Sequence, residues 1–294
     1  MSSDQSRPPG APSNGEASHS RAAAVEAMRN STTIATLRGV PRIWAIGAIH
    51  GDAERLARLH EAMWSRLRDR DALVYLGNYL GRGGAVVETV DELLSFRRRV
   101  LGRPRLHLAD DVVFLRGSQE EMWQKLLQLQ FASDPVGILN WVLQRGADAT
   151  LASYGGSADD VRRAAIGGTR ALNEWTRRMR EAVRRHPGHE TFMAILKRAA
   201  MTAEGSLLFV NCGVDPDRPL AAQSDAFWWA GGSFDAVRQP FEGFRRVVRG
   251  YDPSHRGLAE TDFTLTADGG CGFGGSLIAL CLAPGGAVLD RLEA

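Results

Sequence analysis

Three times between residues 42 and 130, a short apolar run ends in a glycine-bearing turn and gives way to residues at helical spacing. Residues 42–47 (RIWAIG) read as a buried strand. Asp52 is placed to cap the helix that follows, where Leu56, Leu59, Met63 and Leu67 recur at helical intervals. Residues 73–77 (LVYLG) read as a second strand and residues 86–96 as a second helix. Residues 112–116 (VVFLR) make a third strand. Ser118-Gln119-Glu120-Glu121 then carries a capping-box pattern, predicting a helix through Gln130. Repeated strand–turn–helix units constrain the chain to a layered α/β fold with its turns gathered at one rim of a sheet.

A long, mostly helical stretch is expected over about 135–201, and further short strands over 206–211, 246–249, 263–265 and 276–282. Residues 1–38 are rich in Ser, Pro, Gly, Ala and Asn, with too little apolar surface to offset their ordering entropy. They read as a flexible tail with a short helix over 22–29, so the folded domain is expected over 39–294, beginning near Val40. With 294 residues, 44% apolar and 24% charged, that domain has enough material for a sheet core covered by helices. A net charge of +2 does not point to a nucleic-acid partner. Cys212, Cys271 and Cys281 lack the spacing of a disulfide framework or a zinc site. No apolar run approaches the roughly 18 residues of a membrane span, and no apolar signal core opens the chain, so the default location is the cytoplasm. Arginine far outnumbers lysine, which occurs only at Lys125 and Lys197; the skew reads as the high-GC coding bias of a bacterium.

The turns themselves carry more. Gly47-Ala48-Ile49-His50-Gly51, then Gly77-Asn78-Tyr79-Leu80-Gly81-Arg82-Gly83, then Arg116-Gly117-Ser118-Gln119-Glu120 follow one another in the order and spacing of GDIHG, GDxVDRG and RGNHE. Ser153-Tyr154-Gly155 matches a Ser-Tyr-Gly of bacterial members. The run from Phe209 to Pro216 is similar to FVHAGxxP, and that from Val247 to Pro253 to VVHGHTP. Asp268-Gly269-Gly270 corresponds to DTG, and residues 276–280 to a closing GxLTAL strand. Over roughly 40–285 the chain resembles the phosphoprotein phosphatase branch of the calcineurin-like metallophosphoesterases.

The resemblance implies a β-sandwich flanked by helices, with two metals at one rim that activate a hydroxide and clamp the phosphate. Six side chains hold those metals in the family: Asp, His, Asp, Asn, His and His. At the matching positions this chain has Ala48, His50, Asn78, Ser118, Asn211 and Tyr251, so only His50 is retained. Ala48 has no donor, Asn78 has lost the bridging charge, and a tyrosine binds hard cations well only as phenolate. Gln119 stands where the family has the histidine that protonates the leaving group, and an amide cannot do so. Gly81 replaces the aspartate that orients that histidine, and Ala230 stands where a phosphate-binding arginine is expected. No metal cofactor and no catalytic residue is therefore expected.

What remains near the site is basic. Arg82, Arg249 and His50 are candidate anion contacts, and Asp268 is placed either to pair with an arginine or to shape its own turn. Arg162, Arg163, Arg170, Arg177, Arg178, Arg180, Arg184 and Arg185 crowd the segment 161–186, with Leu172, Trp175, Met179 and Val183 as its apolar stripe. That segment is either a solvated helix face or a docking face for an acidic partner or nucleic acid. The Trp228-Trp229 pair reads as core. Residues 269–275 are glycine-rich but lack the Lys-Ser/Thr of a P-loop. The strands keep a clean apolar framework while the ligands are gone. The expected function is thus an inactive phosphatase-like protein acting as a binding, scaffolding or regulatory module, its contacts made through the tail or the arginine-rich helix. The alternatives are a residual phosphoesterase working through His50 and Arg82, and a metal-free sensor of a phosphorylated ligand.

Overall fold

The computed structural model describes residues 31–103 and 108–294. Two mixed sheets stack face to face. The first has the order β1 (Ile34–Leu37), β5 (Ala199–Thr202), β6 (Leu207–Val210), β7 (Arg246–Arg249), β9 (Thr264–Thr266), β8 (Ala259–Glu260). The second runs β11 (Val288–Glu293), β10 (Ile278–Leu282), β2 (Ile43–Ile46), β3 (Ala72–Tyr75), β4 (Val112–Phe114). The expected β-sandwich flanked by helices is therefore the fold observed.

Side-chain alternation sorts the core into layers. Ile43, Ala45, Val74 and Leu280 of the second sheet meet Ala200, Phe209, Val248 and Leu265 of the first in the inter-sheet core. Trp44, Ile46, Leu73 and Tyr75 point the other way, into the helices. Those are α1 (Ala53–Trp64), α2 (Val86–Leu101), α3 (Ser118–Leu126), α4 (Pro135–Leu143), α5 (Ala147–Ser153), α6 (Ala158–Ile166), α7 (Gly168–Arg184) and α8 (His189–Ile195). On the far side, Met201, Leu208, Val210 and Val247 pack under Phe227, Phe234, Phe241 and Phe244, near the one-turn α9 (Ala226–Trp229). Because strands buried on both faces show no polar alternation, they read in the sequence as continuous apolar runs. Each large apolar side chain so covered contributes roughly 1.5–3 kcal/mol.

Local signals behave as expected in most places. The Asp52 carboxylate accepts from the Arg55 N–H at 3.0 Å and starts α1, which buries Leu56, Leu59 and Met63. The helix at Ser118 differs in detail. Gly117 is its cap residue, Glu120 reaches back to the Gly117 N–H at 2.8 Å, and regular helix stops at Leu126 before a 3-10 turn over Leu129–Phe131.

Two boundaries need correction. The tail expected over 1–38 contains a strand: β1 pairs in parallel with β5, with Ile34 and Leu37 buried. The folded part thus begins before Val40, because a four-residue strand needs only two apolar anchors. The helix expected over 22–29 and the rest of that tail lie outside the described residues. The helical stretch expected to reach 201 ends at Ile195, and Ala199–Thr202 returns to the sheet as β5. Among the described residues no helix is long and apolar enough to cross a membrane.

Candidate functional site

β2, β3 and β4 run parallel in one sheet, and β6, β7 and β9 run parallel in the other. Their carboxyl ends reach one rim, where the turns of the two sheets interlock. The Ala48 N–H donates to the Gly250 carbonyl at 2.9 Å. The Asn211 amide donates to the Leu76 carbonyl at 2.7 Å and accepts from the Ser118 N–H at 3.0 Å. Contact between the turns is close: a Cβ on Gly117 would lie 2.3 Å from Asn78 Oδ1. One buried carboxylate clamps this rim from behind. Glu120 accepts from the N–H groups of Asn78 (2.9 Å), Tyr79 (2.8 Å), Leu80 (3.1 Å) and Gly117 (2.8 Å).

The rim assembles all six positions that correspond to metal ligands in the resembled family, and their chemistry is now different. Asn78 Oδ1 accepts from Ser118 Oγ and from the Gln119 N–H, both at 3.1 Å. Together with the two bonds of Asn211, this commits both amide oxygens to protein donors. Ala48 is buried and has no donor atom in its side chain. Burial pushes the Tyr251 phenol up to about 12, so it is protonated near neutral pH. His50 is 1% exposed, edge-on to both Tyr251 and Phe273 with ring centroids 5.4 Å away. Burial, then the neighbouring Arg82 and His255, push its imidazole down to about 3. Neither ring nitrogen of His50 has a hydrogen-bond partner, and the Asn78 Nδ2 has none either. Among the described residues no group of three or more His, Cys, Asp or Glu side chains is arranged to hold a cation. One neutral imidazole and two engaged amides do not fit a pair of hard divalent metals.

The acid–base positions are also occupied. Gln119 Nε2 donates to the Arg145 carbonyl at 2.8 Å, and the Gly81 N–H donates to Thr150 Oγ1 at 2.9 Å.

The candidate anion contacts separate. Arg82 lines an open cleft of about 560 Å³ at this rim, its guanidinium 3.9 Å from the centre of the Phe273 ring. Arg249 does not reach that cleft, which corrects the expectation from sequence. It is 1% exposed and held by Asp252 (3.1 Å), Thr266 Oγ1 (2.9 Å) and the Gly231 carbonyl (3.3 Å), with Phe234 beneath. Asp268 pairs with neither arginine; it accepts from the Asp252 and Gly270 N–H groups, both at 2.8 Å, and so shapes its own turn. Sequence spacing gave no sign of Arg145, His255 or Phe273, which reach the cleft region from the α4–α5 turn and from two loops. Trp228 and Trp229, read as core, border the cleft as half-buried side chains.

Five of the eight arginines named in the arginine-rich segment are ion-paired with acids in or next to it. On α7, Arg177 pairs with Glu181 (2.7 Å), Arg178 with Glu174 (3.5 Å) and Arg184 with Glu190 (3.0 Å). On α6, Arg162 pairs with Asp159 and Arg163 with Asp160. The stripe Leu172, Trp175, Met179 and Val183 is buried.

No protein-family model and no curated protein matches the chain. Among solved structures, it is similar to a protein serine/threonine phosphatase from Saccharomyces cerevisiae, at 11% identity over 96% of this chain and 89% of that one, with a TM-score of 0.51. It is also similar to a cold-active protein-tyrosine phosphatase of a psychrophilic Shewanella, at 15% identity over 88% of this chain and 81% of that one, with a TM-score of 0.52. The chain shares the fold of these two phosphatases. At these identities what is shared is the fold, and function must be argued from the site.

Proposed function

We propose that this protein keeps the phosphoesterase fold as a non-hydrolytic binding module and holds no two-metal centre. The observation that carries this reading is the hydrogen-bond set Asn78–Ser118–Asn211. At three positions that hold metal ligands in the resembled family, both amide oxygens and the Ser118 hydroxyl are engaged with one another or with neighbouring backbone at 2.7–3.1 Å. Displacing those bonds for a cation would unpair Ser118 and Gln119 donors in a buried rim, at roughly 1–3 kcal/mol each. Binding energy would also have to come from neutral oxygens and one imidazole. The intact apolar layers on both faces of the sheets support the reading of a stable framework put to use in binding.

The test is metal content after incubation with manganese, together with hydrolysis of para-nitrophenyl phosphate. Near-zero metal and no turnover above buffer are expected. Close to two metals per chain with chelator-sensitive turnover would overturn the reading.

A second reading is favoured by one observation: Arg82 faces the cleft without a carboxylate partner among the described residues. A sensor of a phosphorylated ligand needs such a cation, and it fits within the non-hydrolytic reading.

A further inference from the structure

We propose that the rim cleft is an anion pocket in its own right, taking a phosphate monoester carried on an aromatic body, such as a nucleoside monophosphate, and holding it with guanidinium groups alone. This rests on the reading that the two-metal centre is lost.

The first argument is charge. Arg82, Arg145, His255 and Tyr251 are among the polar residues that line the cleft, and no aspartate or glutamate does. A site meant for cations needs carboxylates, and this one has two arginines. Neither Arg82 nor Arg145 forms an ion pair among the described residues, in contrast to the arginines of α7. Two guanidinium groups without acidic partners thus line one cleft, and each offers forked donors that match phosphate oxygens.

The second argument is preorganisation. Each guanidinium is seated on an aromatic ring: Arg82 on Phe273 at 3.9 Å and Arg145 on Trp141 at 4.7 Å. The His255 ring centre lies 3.7 Å from that of the same Phe273 ring and packs against it. Arg145 Nη1 donates to the Trp141 carbonyl at 3.2 Å, which leaves its other donors free. Cations held in place before binding lose little freedom when the ligand arrives. The backbone is strained at the same place. His50, Asn78, Arg82 and His255 all have φ between 50° and 60°, a region that costs non-glycine residues energy and is kept where the surrounding structure holds it.

The third argument is size and surface. About 560 Å³ is far more than an inorganic phosphate fills and lies in the range of sites for drug-sized molecules. Trp228, Trp229, Met122 and Pro253 supply its apolar wall. Stacking surface beside a pair of arginines suits an aromatic group with a phosphate attached.

The experiment uses the full chain in EDTA, with thermal unfolding and tryptophan emission as readouts. The probes are adenosine monophosphate, phenyl phosphate, adenosine and inorganic phosphate at millimolar concentration. The two organic phosphates are expected to raise the melting temperature and perturb the emission, while adenosine does neither. Arg82→Ala and Arg145→Ala are each expected to weaken the affinity on the order of tenfold or more, with the melting temperature of the free protein unchanged. Arg178→Ala on α7 should bind as the parent does. Absence of any response to either organic phosphate overturns the pocket, as does an undiminished response in the Arg82→Ala/Arg145→Ala double variant. An equal response to inorganic phosphate overturns the aromatic body. Binding that vanishes in EDTA and returns with manganese overturns the metal-free reading instead, so the two failures are told apart.

Discussion

Gly81 and Gln119 occupy a shared space: a Cβ on Gly81 would lie 2.3 Å from Gln119 Oε1. In the resembled family these positions hold an aspartate and the histidine it orients. Here the longer amide has moved into the room the aspartate would need, and its nitrogen is tied to the Arg145 carbonyl at 2.8 Å. The two replacements are sterically linked, so reversing one alone meets the other. Gly81→Asp also places a side chain at φ +80°. It is expected to cost about 1–2 kcal/mol from backbone strain, with the clash added, read as a lower urea midpoint. On the proposed metal-free reading, neither it nor Gln119→His nor the pair should yield hydrolysis of para-nitrophenyl phosphate, because no cation would be held to activate water.

Glu120 is the keystone of the rim, since four N–H groups from two turns end on its buried carboxylate. Glu120→Ala leaves those donors without acceptors and is expected to cost at least about 3 kcal/mol. Glu120→Gln should restore part of that loss, because one amide oxygen still accepts while the amide nitrogen faces N–H groups. Chemical denaturation of both variants reads the difference.

Arg82 and Arg249 should behave oppositely. Arg249 is buried against Asp252, Thr266 and Phe234, so Arg249→Ala breaks a buried pair and is expected to destabilise by about 3–5 kcal/mol. Arg82 is exposed, so Arg82→Ala should leave the unfolding midpoint unchanged and act on ligand binding alone. Denaturation curves of the two variants, side by side, check this.

Acid should weaken the fold through its buried histidines. His60 sits between Glu92 (2.5 Å) and the Tyr75 hydroxyl (2.9 Å), and His189 between the Tyr154 hydroxyl (2.8 Å) and Asp91 (3.1 Å). Burial pushes both imidazoles down despite those carboxylates, and pushes His50 down to about 3. In the unfolded chain each titrates near 6.5, so the unfolded state takes up protons first as pH falls. The stability they contribute is complete above about pH 6.5 and is lost as pH drops towards their folded values. The melting temperature is expected to fall between about pH 7 and pH 5, and His60→Gln should flatten part of that slope.

Much of the architecture was legible because burial on both faces leaves an unbroken apolar run. Residues 42–47, 112–116 and 246–249 contain β2, β4 and β7 for that reason. β1 was hidden in a polar tail, with only Ile34 and Leu37 to show it. β11 was missed because it is an edge strand whose Asp290, Arg291 and Glu293 face solvent or ion-pair partners, which leaves no apolar run to read.

The sequence by itself, through its resemblance to a known family, named six positions and the side chains that stand there, and turns at the ends of parallel strands bring those residues to one rim. Tertiary structure decided what surrounds them. Arg249 looked like a pocket cation until strand alternation put it on the outer face beside Phe234, the side opposite Val248. Arg145, His255 and Phe273 joined Arg82 from segments far apart in the chain, through packing that no local spacing encodes. The residue types at the rim are written in single positions. The shape and charge of the cleft that remains depend on which distant side chains the fold brings around it.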